Sequence, residues 1–282
     1  MKKDSNSWLL ANILLRFPIW SMMVSPRNLF RFLFTANAYL ISQAIGRRKY
    51  IDYFNCKLVH LYGQKINNSM LAFRIPRVGR LIFPSESGWV VVEIFVFDVY
   101  ERFFKPPKNS TLIDIGAHAG SFTLKMAKKM DRVVAIEPNP RTFRFLLQNI
   151  KLNKLDNVVA INAAVSDREG TTRLFLRDAS HLSSIMFHAN EGVQVATETL
   201  DGIVKRLDLS QVSFIKLDAE GAESIVLQGA KKTLESNRPN IAMEIHSQSE
   251  AEDISRFLRS MGYKTLCFRD LLYASHEISL GT

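Results

Sequence analysis

From Thr111 onward the chain alternates short apolar runs with amphipathic stretches, and no other feature limits the possible folds so tightly. TLIDI, RVVAIEP, VVAINAAVSD, VSFIKLDAEG and NIAMEIHS read as strands. SFTLKMAKKM, PRTFRFLLQNIKLN, AESIVLQGAKKTLES and SEAEDISRFLRSMG carry helical spacing. The last of these opens on a Ser-x-x-Glu capping pattern, Ser249 and Glu252, and closes on Gly262. YKTLCF and LLYASH supply further strand material. The strand runs are continuously apolar, so both their faces must be covered. That predicts an α/β domain with a mostly parallel sheet and helices on both faces. Ligands of such sheets bind beyond the carboxyl ends of the strands, and chemistry is to be sought there.

The first strand ends in Asp114-Ile-Gly116-Ala-His118-Ala-Gly120. Glycines at 116 and 120 allow a close backbone approach that a Cβ would obstruct. Glu137 ends the second strand, 21 residues beyond Gly116, where an acid can accept hydrogen bonds from ribose hydroxyls. A dinucleotide turn would read G-x-G-x-x-G and hold a pyrophosphate at a helix N-terminus. This turn lacks the third glycine, and Asp114 sits where a phosphate would be repelled. A cofactor with a cationic amino group and a sulfonium suits it better, which favours S-adenosylmethionine over NAD.

These stretches resemble the FkbM-type family of S-adenosylmethionine-dependent methyltransferases. TLIDIGAHAGSFTLKMAK, VVAIEPNPRTFRFLLQNIKLN, NAAVSD, TETLD, IKLDAEGAESIVLQGA and IAMEIH carry the likeness in order, from about Asp114 to His246. The resemblance implies a class I, Rossmann-like fold with a seven-stranded sheet. It also implies methylation of hydroxyl oxygens on sugars, lipids or polyketides, and the acceptor expected here is a sugar, glycan or lipid-linked hydroxyl. His118 departs from it, since the family more often has asparagine there.

Asp114, Gly116, His118, Gly120 and Glu137 are thus the expected cofactor residues, with Asn139, Ser166 and Asp167 beside them. Asn139 could line the adenosine pocket or serve as a turn residue between prolines. Asp167 could accept from the adenine amino group or form a local turn with Gly170. Asp218, Glu220 and His246 are the catalytic candidates, at the tips of the fourth and fifth strands. A histidine or carboxylate there could take the acceptor's hydroxyl proton. Strand alternation sets Glu244 on the same face as His246. Glu223 reads as a charge complementing a helix dipole. The stretch from Arg177 to Gly192 is read as a lid or a surface excursion. No spacing supports a metal site. Cys56 and Cys267 form no metal or redox pattern, which suits a reducing compartment.

The net charge of +10 belongs mainly to the N-terminus. Residues 1–50 hold eight basic residues and one acid, while residues 51–282 hold 29 and 26. WLLANILLRFPIW and NLFRFLFTANAYLISQAIG are apolar, but Arg16 and Pro18 interrupt the first. It therefore lacks the roughly 20 clean apolar residues of a spanning helix. Residues 1–50 are expected to form apolar, basic helices on an anionic membrane surface, or else to pack on the main domain or across an oligomer. A signal segment is the third reading. Charge concentrated there argues against a nucleic-acid partner and for a cytoplasmic enzyme peripheral to the inner face of a membrane. KPPKNS marks a linker, giving divisions at 1–50, 51–108 and 109–282. Val90 to Phe97 reads as a strand or the start of a helix, and the run's length favours helix through Phe104. A nicotinamide oxidoreductase and a non-catalytic S-adenosylmethionine-binding module are the competing functions.

Overall fold

The computed structural model describes residues 64–67, 70–75, 77–84, 87, 90–104, 106–175 and 192–277. The expectations for residues 1–50, and for the lid read at Arg177–Gly192 in all but Gly192, lie outside these residues. The chain divides into two compact units, one ending at Val99 and one beginning at Tyr100.

In the first unit β1 (Gln64–Asn67), β2 (Met70–Ile75) and β3 (Gly79–Pro84) form an antiparallel meander. Alternate residues Leu71, Phe73 and Ile75 of β2 and Leu81 and Phe83 of β3 are buried, the period of a sheet with one covered face. The helix expected through Phe104 is shorter. One α turn at Val90–Val92 widens into a π-helical stretch, Glu93–Phe97, and Asp98 at φ +45° ends it. β-Branched and aromatic neighbours crowd the preceding turn of a regular helix, so VVVEIFVF is a poor α-former. No helix of the described residues is long and apolar enough to cross a membrane.

The second unit is built on a seven-stranded sheet. Its strands are β4 (Thr111–Ile115), β5 (Arg132–Ile136), β6 (Val158–Ile161), β10 (Val212–Leu217), β11 (Asn240–Glu244), β12 (Lys264–Phe268) and β13 (Leu271–Ser275). The order is β12-β13-β11-β10-β4-β5-β6, and β13 runs antiparallel to both of its neighbours. Helices α1 (Ser121–Ala127), α2 (Pro140–Leu152), α3 (Leu200–Arg206), α4 (Glu223–Gln228), α5 (Lys231–Asn237) and α6 (Gln248–Ser260) complete the unit. Every residue of β4 is buried, as its uninterrupted apolar run requires. Ile113, Ile215, Leu217 and Ile241 join Ile203, Val226, Leu234 and Leu258 in the main core cluster.

Three sequence expectations shift here. The expected boundary at Lys108/Asn109 lies nine residues after the observed division. Phe104 packs edge-on against Phe214, and Phe103 against Tyr273, which ties this segment to the second unit. The run VVAINAAVSD makes two strands. β6 joins the large sheet, whereas β7 (Ala164–Val165) joins a small sheet with β8 (Gly170–Phe175) and β9 (Gly192–Glu198). The capping box of α6 sits two residues early. Ser247 accepts from Glu250 N at 3.2 Å, and Glu250 accepts from His246 N at 2.9 Å.

Candidate active site

The tips of β4, β5, β10 and β11 bring every predicted catalytic residue and most cofactor candidates to one edge. After β4 the chain turns sharply, and the amides of Gly116 and Ala117 both donate to Ile136 O, at 2.9 and 3.0 Å. His118 at φ +52° and Gly120 at φ +89° shape the turn, and Asn149 Nδ2 donates to Ala119 O at 2.8 Å. The space left by the two glycines is taken by the chain itself. A Cβ on Gly116 would lie 1.9 Å from the Asp218 carbonyl, and one on Gly120 would lie 2.7 Å from Leu146 Cδ1.

Asp114 is fully buried. Its Oδ2 accepts from Thr123 Oγ1 at 2.6 Å, and its Oδ1 has no hydrogen-bond partner. Lys216, its register partner on β10, holds Nζ 3.4 Å from that Oδ1 and 3.4 Å from Asp218 Oδ2. The same ammonium donates to Gly116 O at 2.6 Å and Ile115 O at 3.2 Å. Burial opposes its charge, but Asp218, Asp114 and Glu244 outweigh that and raise its pKa. Sequence reasoning gave Lys216 no role, although a lysine within the apolar run VSFIKL was a visible signal.

Glu137 organises the next loop. Oε1 accepts from Asn139 N at 2.9 Å and Thr142 Oγ1 at 2.8 Å, and Oε2 accepts from His118 N at 2.8 Å. An ionised carboxylate offers about four acceptor sites, so Oε2 retains one for a ligand hydroxyl. Burial nonetheless raises its pKa against those three bonds. Asn139 caps α2, accepting from Arg141 N at 2.9 Å, so its side chain has the turn role. Ser166 is buried, with its N donating to Glu198 O, while Asp167 is exposed beside Arg168. Gly229 was overlooked: a Cβ there would lie 2.0 Å from Ser166 O, so the end of α4 can approach this turn only as glycine.

Beyond β10 the backbone leaves the strand, with Glu220 at φ +52° and Gly221 at φ +96°. Here Asp218, Glu220, Glu223, Glu244 and His246 converge with Tyr100, another residue that sequence reasoning missed. Tyr100 Oη donates to Glu244 Oε1 at 2.7 Å and lies 3.4 Å from Asp218 Oδ2. Burial, then the charge of Asp218, pushes Glu244 up to about 7. Burial, then Asp218 and Glu244, pushes Glu220 up to about 8. His246 Nε2 stands 3.5 Å from Glu223 Oε1, and that pairing lifts the imidazole to about 9. Burial raises Glu223, but the imidazole overcomes it and the net shift is downward. Glu223 also accepts from Ala219 N at 2.8 Å, a role beyond the expected helix-dipole charge. Among the described residues no three His, Cys, Asp or Glu side chains are grouped to hold a metal.

A seven-stranded sheet of this order, with one reversed strand beside the end and acids at its carboxyl tips, defines the class I methyltransferase fold. The model of the methyltransferase FkbM domain matches residues 114–265, and the chain belongs to that family. The matched region is therefore a methyltransferase domain, of the kind that uses S-adenosylmethionine. The chain is 32% identical over 140 residues to a tRNA(Phe) (4-demethylwyosine(37)-C(7)) aminocarboxypropyltransferase of Methanocaldococcus jannaschii, covering 43% of this chain and 55% of that protein. It is 26% identical over 154 residues to the hexuronic acid methyltransferase AglP of Haloferax volcanii, covering 54% and 62%. A crystal structure of methyltransferase FkbM from Methylobacillus flagellatus KT aligns with a TM-score of 0.46 and 17% identity, covering 67% and 53%.

Proposed function

We propose that this enzyme methylates a hydroxyl oxygen of a sugar, glycan or lipid-linked acceptor. The observation that carries the reading is Glu244, a half-buried carboxylate at the tip of β11, hydrogen-bonded by Tyr100, whose pKa of about 7 matches general-base work near neutral pH. When bound, S-adenosylmethionine supplies the methyl group on a sulfonium. The residues present fit it: Glu137 retains an acceptor site for a ribose hydroxyl, and Asp218 Oδ1 lacks a hydrogen-bond partner that an amino group would supply. Asp114 is sealed behind the turn and half-neutralised by Lys216, so it acts through its charge and through the turn. His118 and Asn139 flank Glu137, and Gly116 and Gly120 set the turn's shape. Ser166, which is buried, and Asp167, which is exposed, would stand at the adenine end.

Glu244 would take the hydroxyl proton as the methyl carbon's bond to oxygen forms and its bond to sulfur breaks, with S-adenosylhomocysteine as the leaving group. Glu220, pushed up to about 8 and mostly protonated at neutral pH, stands beside it. His246, with its pKa of about 9, is an imidazolium at neutral pH and so orients the acceptor and Glu223 instead of acting as base. Tyr100 fixes the Glu244 carboxylate. Residues 1–50 hold this chemistry at an anionic membrane surface on the cytoplasmic side. The likeness to a hexuronic acid methyltransferase supports the acceptor class.

The test is incubation with methyl-labelled S-adenosylmethionine and cell-envelope extract, followed by identification of the labelled product. Label in an alkali-stable ether on a glycan, lowered about 10²–10⁴-fold by Glu244→Gln, is expected. Label confined to RNA overturns the reading.

A further inference from the structure

Beside the tip of β11 a groove of about 900 Å³ opens between α6 and the turn joining β12 to β13. His246 stands at its mouth, and Arg256, Arg259 and Arg269 line it. We infer that this groove receives an oxyanion, a carboxylate or phosphate, carried by the acceptor. The inference rests on the acceptor reading above, because His246 and Glu244 flank the same strand end.

Arg256 and Arg259 are three residues apart on α6 and so share a helix face. Arg259 Nε donates to Thr265 Oγ1 at 3.0 Å, which orients the guanidinium and leaves its two terminal amino groups for a ligand. Arg269, at φ +56° in the turn, has its guanidinium 5.6 Å from the Phe268 ring. Neither Arg259 nor Arg269 pairs with a described carboxylate, whereas Arg256 Nη1 bonds Asp253 at 3.0 Å. The imidazolium of His246 adds a fourth positive group, held charged by Glu223. The opposing charges are Glu252, which accepts from Gln248 at 3.1 Å, and Asp270. Asp253 answers Arg256 and Glu223 answers His246, so Arg259 and Arg269, which no described carboxylate pairs, are the guanidinium groups left to engage an oxyanion. Guanidinium forks match the paired oxygens of carboxylate and phosphate.

A polynucleotide fits less well. It would run past Glu250, Glu252, Asp253 and Asp270, and residues 51–282 are nearly charge-balanced at 29 basic and 26 acidic. A single oxyanion needs only the guanidinium groups of Arg259 and Arg269, whereas a polynucleotide must pass every one of these acids. The acceptor's hydroxyl can then reach Glu244 past His246.

Cys267 lines the groove and is exposed, so its alkylation reports occupancy without turnover. The intact chain is treated with iodoacetamide, and Cys267 modification is followed by peptide mass spectrometry. The competing probes are D-glucuronate, glucose 6-phosphate, glucose and a short RNA. We expect saturable, salt-sensitive protection by the two anionic sugars and none by glucose, and their ranking separates carboxylate from phosphate. The double change Arg259→Gln/Arg269→Gln should weaken protection about tenfold or more. Its S-adenosylhomocysteine affinity should be unchanged, which confirms a folded site. Equal protection by glucose overturns the inference, as do undiminished protection in the double variant and stronger protection by RNA. An enzyme that methylates no glycan would sink the acceptor reading alone, because protection is scored separately.

Discussion

Lys216 holds the charge balance at the strand tips. Its ammonium is buried among Asp114, Asp218 and Glu244, and it also satisfies two backbone carbonyls. Removing one partner of a buried ionic group strands the others, at a cost of about 3–5 kcal/mol. Lys216→Met should lower stability by that amount in denaturant titration, and an unchanged midpoint would refute the role. For His246 the sign follows from its raised pKa. Stability from the Glu223 pair is fully present below the ordinary value of 6.5 and is lost as pH rises through about 9. His246→Gln should therefore be less stable than the unaltered chain at pH 6, and the gap should close between pH 6.5 and 9. Glu223→Gln should return the His246 NMR titration toward 6.5. The acids at strand tips were legible because strand ends can be read from apolar runs. Tyr100 and the partners of Lys216 were not, because Tyr100 lies 144 residues from Glu244 and Lys216 lies 100 residues from Gly116.

Elements show where the sequence pattern sufficed and where tertiary contact overrode it. The five parallel strands β4, β5, β6, β10 and β11 were legible as apolar runs, because a strand covered on both faces leaves no other pattern. The pair β8 and β9 was not, since its alternation is partly polar and residues 176–191 separate its two strands in the chain. The helix drawn through Phe104 failed because crowded β-branched residues and a left-handed Asp98 decide the local backbone. Gly116 was legible as a glycine position, but for a different neighbour: the tip of β10 fills the space, not a ligand. Its φ of +73° adds strain for any side chain. Gly116→Ala should destabilise by about 1–3 kcal/mol, against the small gain Ala brings where the backbone permits it. It should also weaken S-adenosylhomocysteine binding, since Asp218 must move. Retention of both stability and affinity in calorimetry would show that the turn relaxes freely.

At the scale of the molecule, the strand order places four carboxyl tips from residues 115, 136, 217 and 244 side by side. A ligand held by Glu137 and Asp218 would bridge β5 and β10 across the β4 turn. Its binding energy would then add to the stability of the whole sheet of the Tyr100–Thr282 unit. Because the unfolded chain has no such arrangement, the gain follows mass action, about 2.7 kcal/mol at a ligand concentration 100-fold above Kd. For a unit of this size each kcal/mol moves the midpoint by about 2–4 °C. Saturating S-adenosylhomocysteine should therefore raise its thermal midpoint by about 5–11 °C, with the shift growing logarithmically with ligand concentration. NAD should give no such shift, because its pyrophosphate would meet Glu137 and Asp218 without a glycine-rich helix start to receive it. A midpoint raised by NAD and indifferent to S-adenosylhomocysteine would mean that the acids at these tips serve a different ligand.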